Sequence, residues 1–365
     1  MLSTRPQGEP DALLARARAA VQASGGWLAF DRYMSLALYE PGLGYYASGR
    51  RVFGSMPASG SDFVTAPELS PLFGQTLARQ VAQALDATQA DEVFEFGAGS
   101  GALAAQLLAA LGARVRQYAI VDLSGSLRQR QAERLAPWAG RVRWLDALPA
   151  SLHGVVLGNE VLDAMPVQLL HWDGTTWHER GVALAGTALA WADRPTALRP
   201  PVDGAFVPGT VVEIHPQAEA FVRTLAERMT HGAAFFIDYG FPEAEYYHPQ
   251  RSGGTLMCHR AHLVDTDPLA DPGEKDITAH VDFSGIALAA QDAGMEVLGY
   301  TSQARFLINC GLPDLLQGAD VRTVAGAQKL IAEHEMGELF KVIGLARGVQ
   351  FDAIGFAAGD RSHRL

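Results

Sequence analysis

The sequence predicts an α/β fold: a Rossmann-like, mostly parallel sheet of seven strands with a helical N-terminal region and inserted segments. Three observations predict it. Apolar β-type runs recur at 93–96, 117–124, 141–146 and 153–160, and again at 233–240, 295–302 and 340–346, with helical stretches among them. The first run closes on alternate glycines, Gly97, Gly99 and Gly101, ahead of an Ala/Leu-rich helix at roughly 101–112. Polar residues end the next runs, Asp122, Asp146 and Asn159-Glu160, and open α/β sheets bind ligands along that edge.

Taken in order, residues 1–10 read as a mobile tail. The stretch 1–20 carries Glu9 and Asp11 among its arginines and has no signal-peptide core. Residues 11–85 form a helical cap interrupted by a Gly/Pro/Ser-rich loop at 41–67, and loops of that length are usually functional or disordered. The core domain spans 86–350. Residues 166–214 alternate apolar and polar positions around turn signals such as Asp173-Gly174, which predicts a small antiparallel sheet inserted after the fourth strand. Core structure resumes with a helix at 216–230 and the strand AAFFIDYG (233–240). A second insertion covers 241–281, a helix follows at 283–293, and the strands at 295–302 and 340–346 complete the sheet. Residues 351–365 are a C-terminal extension.

Composition describes one enzyme-sized chain: 365 residues, 48% hydrophobic, enough to bury a large core. A formal charge of −11 argues against a general nucleic-acid surface, which needs a basic face. Cys258 and Cys310 lie far apart and without metal-ligand spacing, so neither a disulfide scaffold nor a metal site is expected. No apolar run reaches membrane-spanning length. The expected location is the cytoplasm.

The glycine turn carries most of the chemistry. Missing Cβ atoms let a ligand approach backbone N–H groups at a helix N-terminus. The hexad Gly97-Ala98-Gly99-Ser100-Gly101-Ala102 also satisfies the G-x-G-x-x-G/A dinucleotide pattern. Glu95, two places before the first glycine, separates the two readings. A carboxylate there would repel a pyrophosphate, whereas it suits the amino group and sulfonium of S-adenosyl-L-methionine (SAM). Asp122 is placed to accept the ribose hydroxyls. Asp146 either borders the adenine or is an ordinary helix cap.

At this point the motifs converge. YMSLALYEPGLGYY (33–46), SDFVTAPELSPLFGQ (61–75), FEFGAGSGALA (94–104), GNEVLDAMPV (158–167), VVEIHP (211–216), FFIDYG (235–240), GGTLMCHRAH (253–262) and DPGEKDITAHVDF (271–283) resemble the MidA-type family of class I SAM-dependent methyltransferases. That family includes the mitochondrial arginine methyltransferase that assists respiratory complex I assembly. The resemblance covers roughly 25–350. It implies a class I methyltransferase fold, SAM as cofactor with S-adenosyl-L-homocysteine as product, and protein arginine methylation, with a complex I subunit of the 49-kDa type as the implied partner. Its cofactor motif maps onto Glu95, Gly97, Gly99 and Gly101 and its ribose acid onto Asp122, and Ala98, Leu123, Asp146 and Asn159 complete the expected cofactor-binding set. The chain departs from the family where glutamate is common in place of Asp122, and where His215 and Gln217 replace residues that are often glycine.

Methyl transfer from a sulfonium is an in-line displacement, so positioning is the main demand. A guanidinium acceptor adds a difficulty, because it is protonated and its lone pairs are delocalised. Carboxylates beside it fix its plane and hold positive charge away from the reacting nitrogen. Glu160 stands where such a carboxylate belongs, and Asp163 is a second candidate. The plain alternative makes Asn159 a helix cap and Asp163 a first-turn acid. His280 can take up the released proton or serve only in packing, with Asp276 or Thr278 starting a helix. Tyr45 and Tyr46 with Asp62, Phe63, Thr65, Pro67 and Glu68 form an aromatic and acidic cluster, expected as a lid or substrate clamp, or as core anchors of the cap. A methyltransferase of a small molecule and a non-catalytic SAM-binding assembly factor are the competing functions.

Overall fold

The apolar runs named above become the strands of one sheet. In the computed structural model, which describes residues 9–48, 65–122, 125–260 and 263–365, these are β1 (Glu92–Phe96), β2 (Gln117–Val121), β3 (Val142–Leu145), β4 (Leu152–Asn159), β5 (Met229–Phe241), β6 (Glu296–Ser302) and β7 (Phe340–Arg347). Their spatial order is β3-β2-β1-β4-β5-β7-β6. Strands β1 to β5 pair in parallel, and β7 runs antiparallel between β5 and β6. A short eighth strand, Val281–Asp282, lies beside the end of β5. The order reverses between β1 and β4. That reversal opens a crevice beyond their C-terminal ends, the place where doubly wound sheets take ligands.

Central strands covered on both faces read as continuous apolar runs. Val155, Val156 and Leu157 of β4 and Ala233 to Ile237 of β5 are accordingly buried. The helix Pro71–Thr88 begins at Ser70, whose hydroxyl accepts the Leu72 N–H, and ends at Gln89 with φ +51°. Its Phe73 and Leu77 join Leu107 and Leu108 of the helix Ala102–Leu111 in the core against the sheet. Phe356, from the C-terminal segment, closes on β6 and β7. A Cβ on Gly299 or Gly344 would meet its ring at 2.3 and 2.6 Å, so those strand positions must stay bare.

The described chain divides into two compact units, and the expected 11–85 cap falls into both. The helix Pro71–Thr88 belongs with the seven-stranded sheet, because its apolar face packs there. The other unit holds the helices Glu9–Ala23 and Phe30–Tyr39 and the strand Trp27–Ala29 between them. The expected tail is shorter than predicted, since this first helix already includes Glu9 and Pro10. Trp27–Ala29 pairs with Trp177–Ala185, extending the antiparallel sheet of Gln168–Trp172, Ala188–Pro195 and Val211–Ile214 that the alternation in 166–214 predicts. Trp27 secures the join: its indole N–H donates to Ala192 O at 2.8 Å, and the Arg194 guanidinium lies 3.5 Å over its ring. The second insertion carries its own three-stranded sheet, Met257–Arg260 with Leu263–Asp265 and Asp276–Thr278.

Helices at Gln303–Asn309, Leu312–Leu316 and Val321–Ile331 have no counterpart in the sequence reading. The last buries only Ala327 and Leu330. Among the described residues, no helix is long and apolar enough to cross a membrane.

Candidate functional site

β1 leads directly into a turn in which Gly97, Gly99 and Gly101 have φ values of +59°, +52° and +77°. Residues with a Cβ disfavour that region, so the alternate glycines are a conformational requirement. The Gly97 N–H donates to Val121 O at 3.2 Å and the Gly101 N–H to Ala98 O at 2.7 Å. No side chain caps the helix that follows. A helix N-terminus without a side-chain cap can offer its first N–H groups to a polar ligand.

Glu95 sits behind this turn and not at its surface. It is 2% exposed, and Tyr118 donates its hydroxyl to Glu95 Oε2 at 2.7 Å. Burial, with Asp122 nearby, pushes the carboxyl up from its ordinary 4.5 to about 8, against the Tyr118 hydrogen bond that lowers it. Asp122 is buried as well, and one residue that sequence reasoning passed over holds it. Gln131, fully buried, donates through Nε2 to Asp122 Oδ2 at 2.8 Å and to Gly99 O at 3.0 Å, while Trp144 donates to Gln131 Oε1 at 2.9 Å. Nothing in SLRQRQAER distinguishes this glutamine from its neighbours. Replacing it with leucine removes the hydrogen bonds that Gln131 gives to Asp122 Oδ2 and Gly99 O, at about 1–3 kcal/mol. We expect S-adenosyl-L-homocysteine to bind Gln131→Leu roughly tenfold more weakly in calorimetry; wild-type affinity would show that the bridge has no part in shaping the turn.

Asp146 caps no helix, since none follows it; its exposed carboxylate pairs with Arg128 at 2.6 Å. The expected aromatic and acidic cluster is divided. Tyr46 belongs to the unit with the inserted sheets, where its hydroxyl donates to both oxygens of Asp276 at 2.9 Å. Asp62 and Phe63 lie outside the described residues, as does Leu123. Thr65, Pro67 and Glu68 stand at the short helix Ala66–Leu69 in the unit of the large sheet. There Gln106 donates to Pro67 O at 2.7 Å, Arg134 pairs with Glu68 at 2.6 Å, and Ser100 donates to the same carboxylate oxygen. Ser100 belongs to the glycine turn, so Glu68 is tied to that turn.

The end of β4 carries a second conformational signal. Glu160 has φ +54°, in the left-handed region, without being glycine. Its N–H donates to Ile237 O at 2.9 Å, after which the chain turns without forming a helix. The cap reading of Asn159 and the first-turn reading of Asp163 therefore do not hold. The N–H groups of Val161, Leu162 and Asp163 instead converge on Asp238 Oδ2 at 3.1, 2.9 and 3.3 Å. Burial and the neighbouring Asp163 and Glu160 carboxylates push Asp238 well above the usual carboxylate range. Asp163 is also buried, and Tyr239 donates its hydroxyl to Asp163 Oδ2. A Cβ on Gly97 would meet Val161 Cγ2 at 3.0 Å, so the glycine turn and this acidic turn touch. Between them, Asn159 donates to Glu160 Oε1 at 3.1 Å, and its own Oδ1 is buried without a hydrogen-bond partner.

His280 packs edge-on between the rings of Tyr239 and Phe241, with centroids 5.2 and 5.1 Å away. Neither Asp276 nor Thr278 starts a helix; both are in a strand. The helix begins at Phe283, with Asp282 accepting the Ser284 and Gly285 N–H groups. Burial raises Asp282 from 3.8 to about 7. Like Glu95, it holds its proton more tightly folded than unfolded, so folding takes up protons between the two values. The stability these groups contribute is complete below about pH 4 and falls as pH rises toward 8. The melting temperature of the unliganded chain is thus expected to drop from pH 5 to 8, and Glu95→Gln to flatten that drop. An unchanged slope in the variant would remove Glu95 as its source.

Three comparisons with known proteins bear on this site. The model of the family described as "Putative S-adenosyl-L-methionine-dependent methyltransferase" matches residues 76–301. A Burkholderia thailandensis protein crystallised with S-adenosyl-homocysteine is 52% identical, covers 100% of both chains and superposes with a TM-score of 0.95. The mitochondrial protein arginine methyltransferase NDUFAF7 of Danio rerio is 27% identical over 374 residues, covering 89% of this chain and 85% of that one. The human protein of that name is 28% identical over 372 residues, covering 88% and 80%.

Proposed function

The chain belongs to the S-adenosyl-L-methionine-dependent methyltransferase family, with the class I fold and SAM as its cofactor, and we propose that it methylates arginine side chains of a protein. Support comes from the NDUFAF7 relatives and from one observation on this chain: a left-handed Glu160 set among buried acids where β4 meets the glycine turn. Strained backbone at a ligand edge persists when its surroundings over-determine it, and such positions cluster at active sites.

The residues present fit the cofactor. The bare glycine turn leaves room for close approach, and the orphaned Asn159 Oδ1 offers a buried acceptor. We assign cofactor contact to Gly97, Ala98, Gly99, Gly101, Asp122, Leu123 and Asn159, with Asp146 toward the adenine and Glu95 acting from behind the turn. Bound SAM supplies an electrophilic methyl carbon on its sulfonium. Glu160 and Asp163 orient the acceptor guanidinium through paired N–H···O bonds and localise its charge on the nitrogens that do not react. His280, flanked by aromatic rings, takes the proton that leaves the methylated nitrogen. Thr65, Pro67 and Glu68, with Asp62 and Phe63, serve substrate approach or the lid. The proposed substrate class includes a respiratory complex I subunit of the 49-kDa type, and the proposed location is the cytoplasm.

Incubating the protein with radiolabelled SAM and host lysate separates the possible acceptors. The reading expects label in protein that survives acid and hydrolyses to methylarginine. Label in small solutes alone, or none, would contradict it.

A further inference from the structure

We propose that Asp238 is a positioning residue: its carboxylate locks the turn after β4 and thereby holds Glu160 in the left-handed conformation that aims it at the acceptor. The inference rests on the reading of Glu160 given above. A left-handed conformation is unfavourable for a residue with a side chain and needs neighbours that forbid the alternatives. Here the neighbours are specific. Upstream, the Glu160 N–H is fixed on Ile237 O at 2.9 Å, extending the register of Asn159 with Ile237. Downstream, three successive N–H groups are gathered on Asp238 Oδ2, and Asp238 Oδ1 accepts the Tyr239 N–H at 2.9 Å. Residue 160 is thus clamped between two adjacent residues of β5, one through its backbone carbonyl and one through its side chain.

A simple turn cap could be uncharged and exposed. Asp238 is 1% exposed and lies beside the carboxylates of Asp163 and Glu160. Burying a carboxylate beside two others is unfavourable unless strong donors or a cation compensate. Four N–H groups compensate in part, and a guanidinium held by Glu160 and Asp163 would compensate further. The same residue therefore both shapes the turn and makes it receptive to a cation.

The test is a thermal-melt cycle on the full chain, with Asp238→Asn, Glu160→Gly and the double variant. Glycine adopts the left-handed region without restraint, so a clamp on residue 160 should matter less once glycine is there. We expect Asp238→Asn to lower the melting temperature by about 5 °C in the parent chain and by less than half as much in the Glu160→Gly background. An equal drop in both backgrounds would overturn the inference, because Asp238 would then act independently of residue 160. Should Asp238→Asn not fold, Asp238→Ser, which retains one acceptor, replaces it in the same cycle. On activity, Asp238→Asn should lower single-turnover methylation of host protein at least tenfold while calorimetric affinity for S-adenosyl-homocysteine stays within twofold. Retained turnover would also overturn the proposal. A coupled melt cycle together with normal turnover in Glu160→Gln would leave the clamp standing and remove the catalytic reading of Glu160, so the two failures can be told apart.

Discussion

Glu160→Gln is expected to lower methyl transfer roughly a hundredfold or more while S-adenosyl-homocysteine affinity stays near that of the parent chain. Glutamine keeps the shape of the side chain and much of its hydrogen-bonding capacity, so the change removes charge and little else. A guanidinium facing glutamine loses the charge-assisted pair that holds its plane, and losing one preorganised electrostatic interaction costs about 3 kcal/mol in the transition state. The backbone should tolerate the change, because the Glu160 N–H and the three N–H groups that follow keep their acceptors on Ile237 and Asp238. Rate and affinity must be measured on a variant whose melting temperature matches the parent. Near-normal turnover would exclude Glu160 from the mechanism and weaken the case for arginine. Loss of cofactor binding would move Glu160 to the cofactor pocket.

Gly99→Val is expected to reduce S-adenosyl-homocysteine affinity more than a hundredfold. Gly99 sits at φ +52°, in the middle of a turn whose flanking glycines share the left-handed region. A β-branched residue is a genuine outlier there, and its two methyl groups would occupy the space that the bare backbone leaves for the ligand. The turn is also held by its Gly99 carbonyl, which accepts from Gln131, so relaxing the strain would disturb the Asp122 bridge as well. Calorimetry on the folded variant decides. Undiminished affinity would mean that the cofactor does not lie on this turn.

How much of this was legible beforehand depends on the kind of signal. The strand-and-helix order of the core could be read from the chain because β4 and β5 are buried on both faces and therefore appear as unbroken apolar runs. The inserted sheet at 166–214 showed itself through apolar and polar alternation around turn signals such as Asp173-Gly174. The glycine turn was readable because only glycine serves at three positive φ values in succession. Residues acting through long-range contacts were not. Gln131 joins Gly99, 32 positions away, to Asp122, and Asp238 gathers N–H groups more than 70 positions upstream; neither contact leaves a local pattern. The helix expected after Asn159 failed for the same reason, since a carboxylate from β5 supplies the acceptor that a helical cap would otherwise provide. Glu95 was legible as an acid ahead of the turn, whereas its burial against the Tyr118 hydroxyl, 23 positions away, was not.

The most direct test of the central claim is mass spectrometry of protein arginine methylation in the native host, with and without the gene. One or a few methylarginine sites are expected to vanish in the deletion strain and to return with the parent gene but not with Glu160→Gln. An unchanged set of methylarginine sites across the three strains would contradict it.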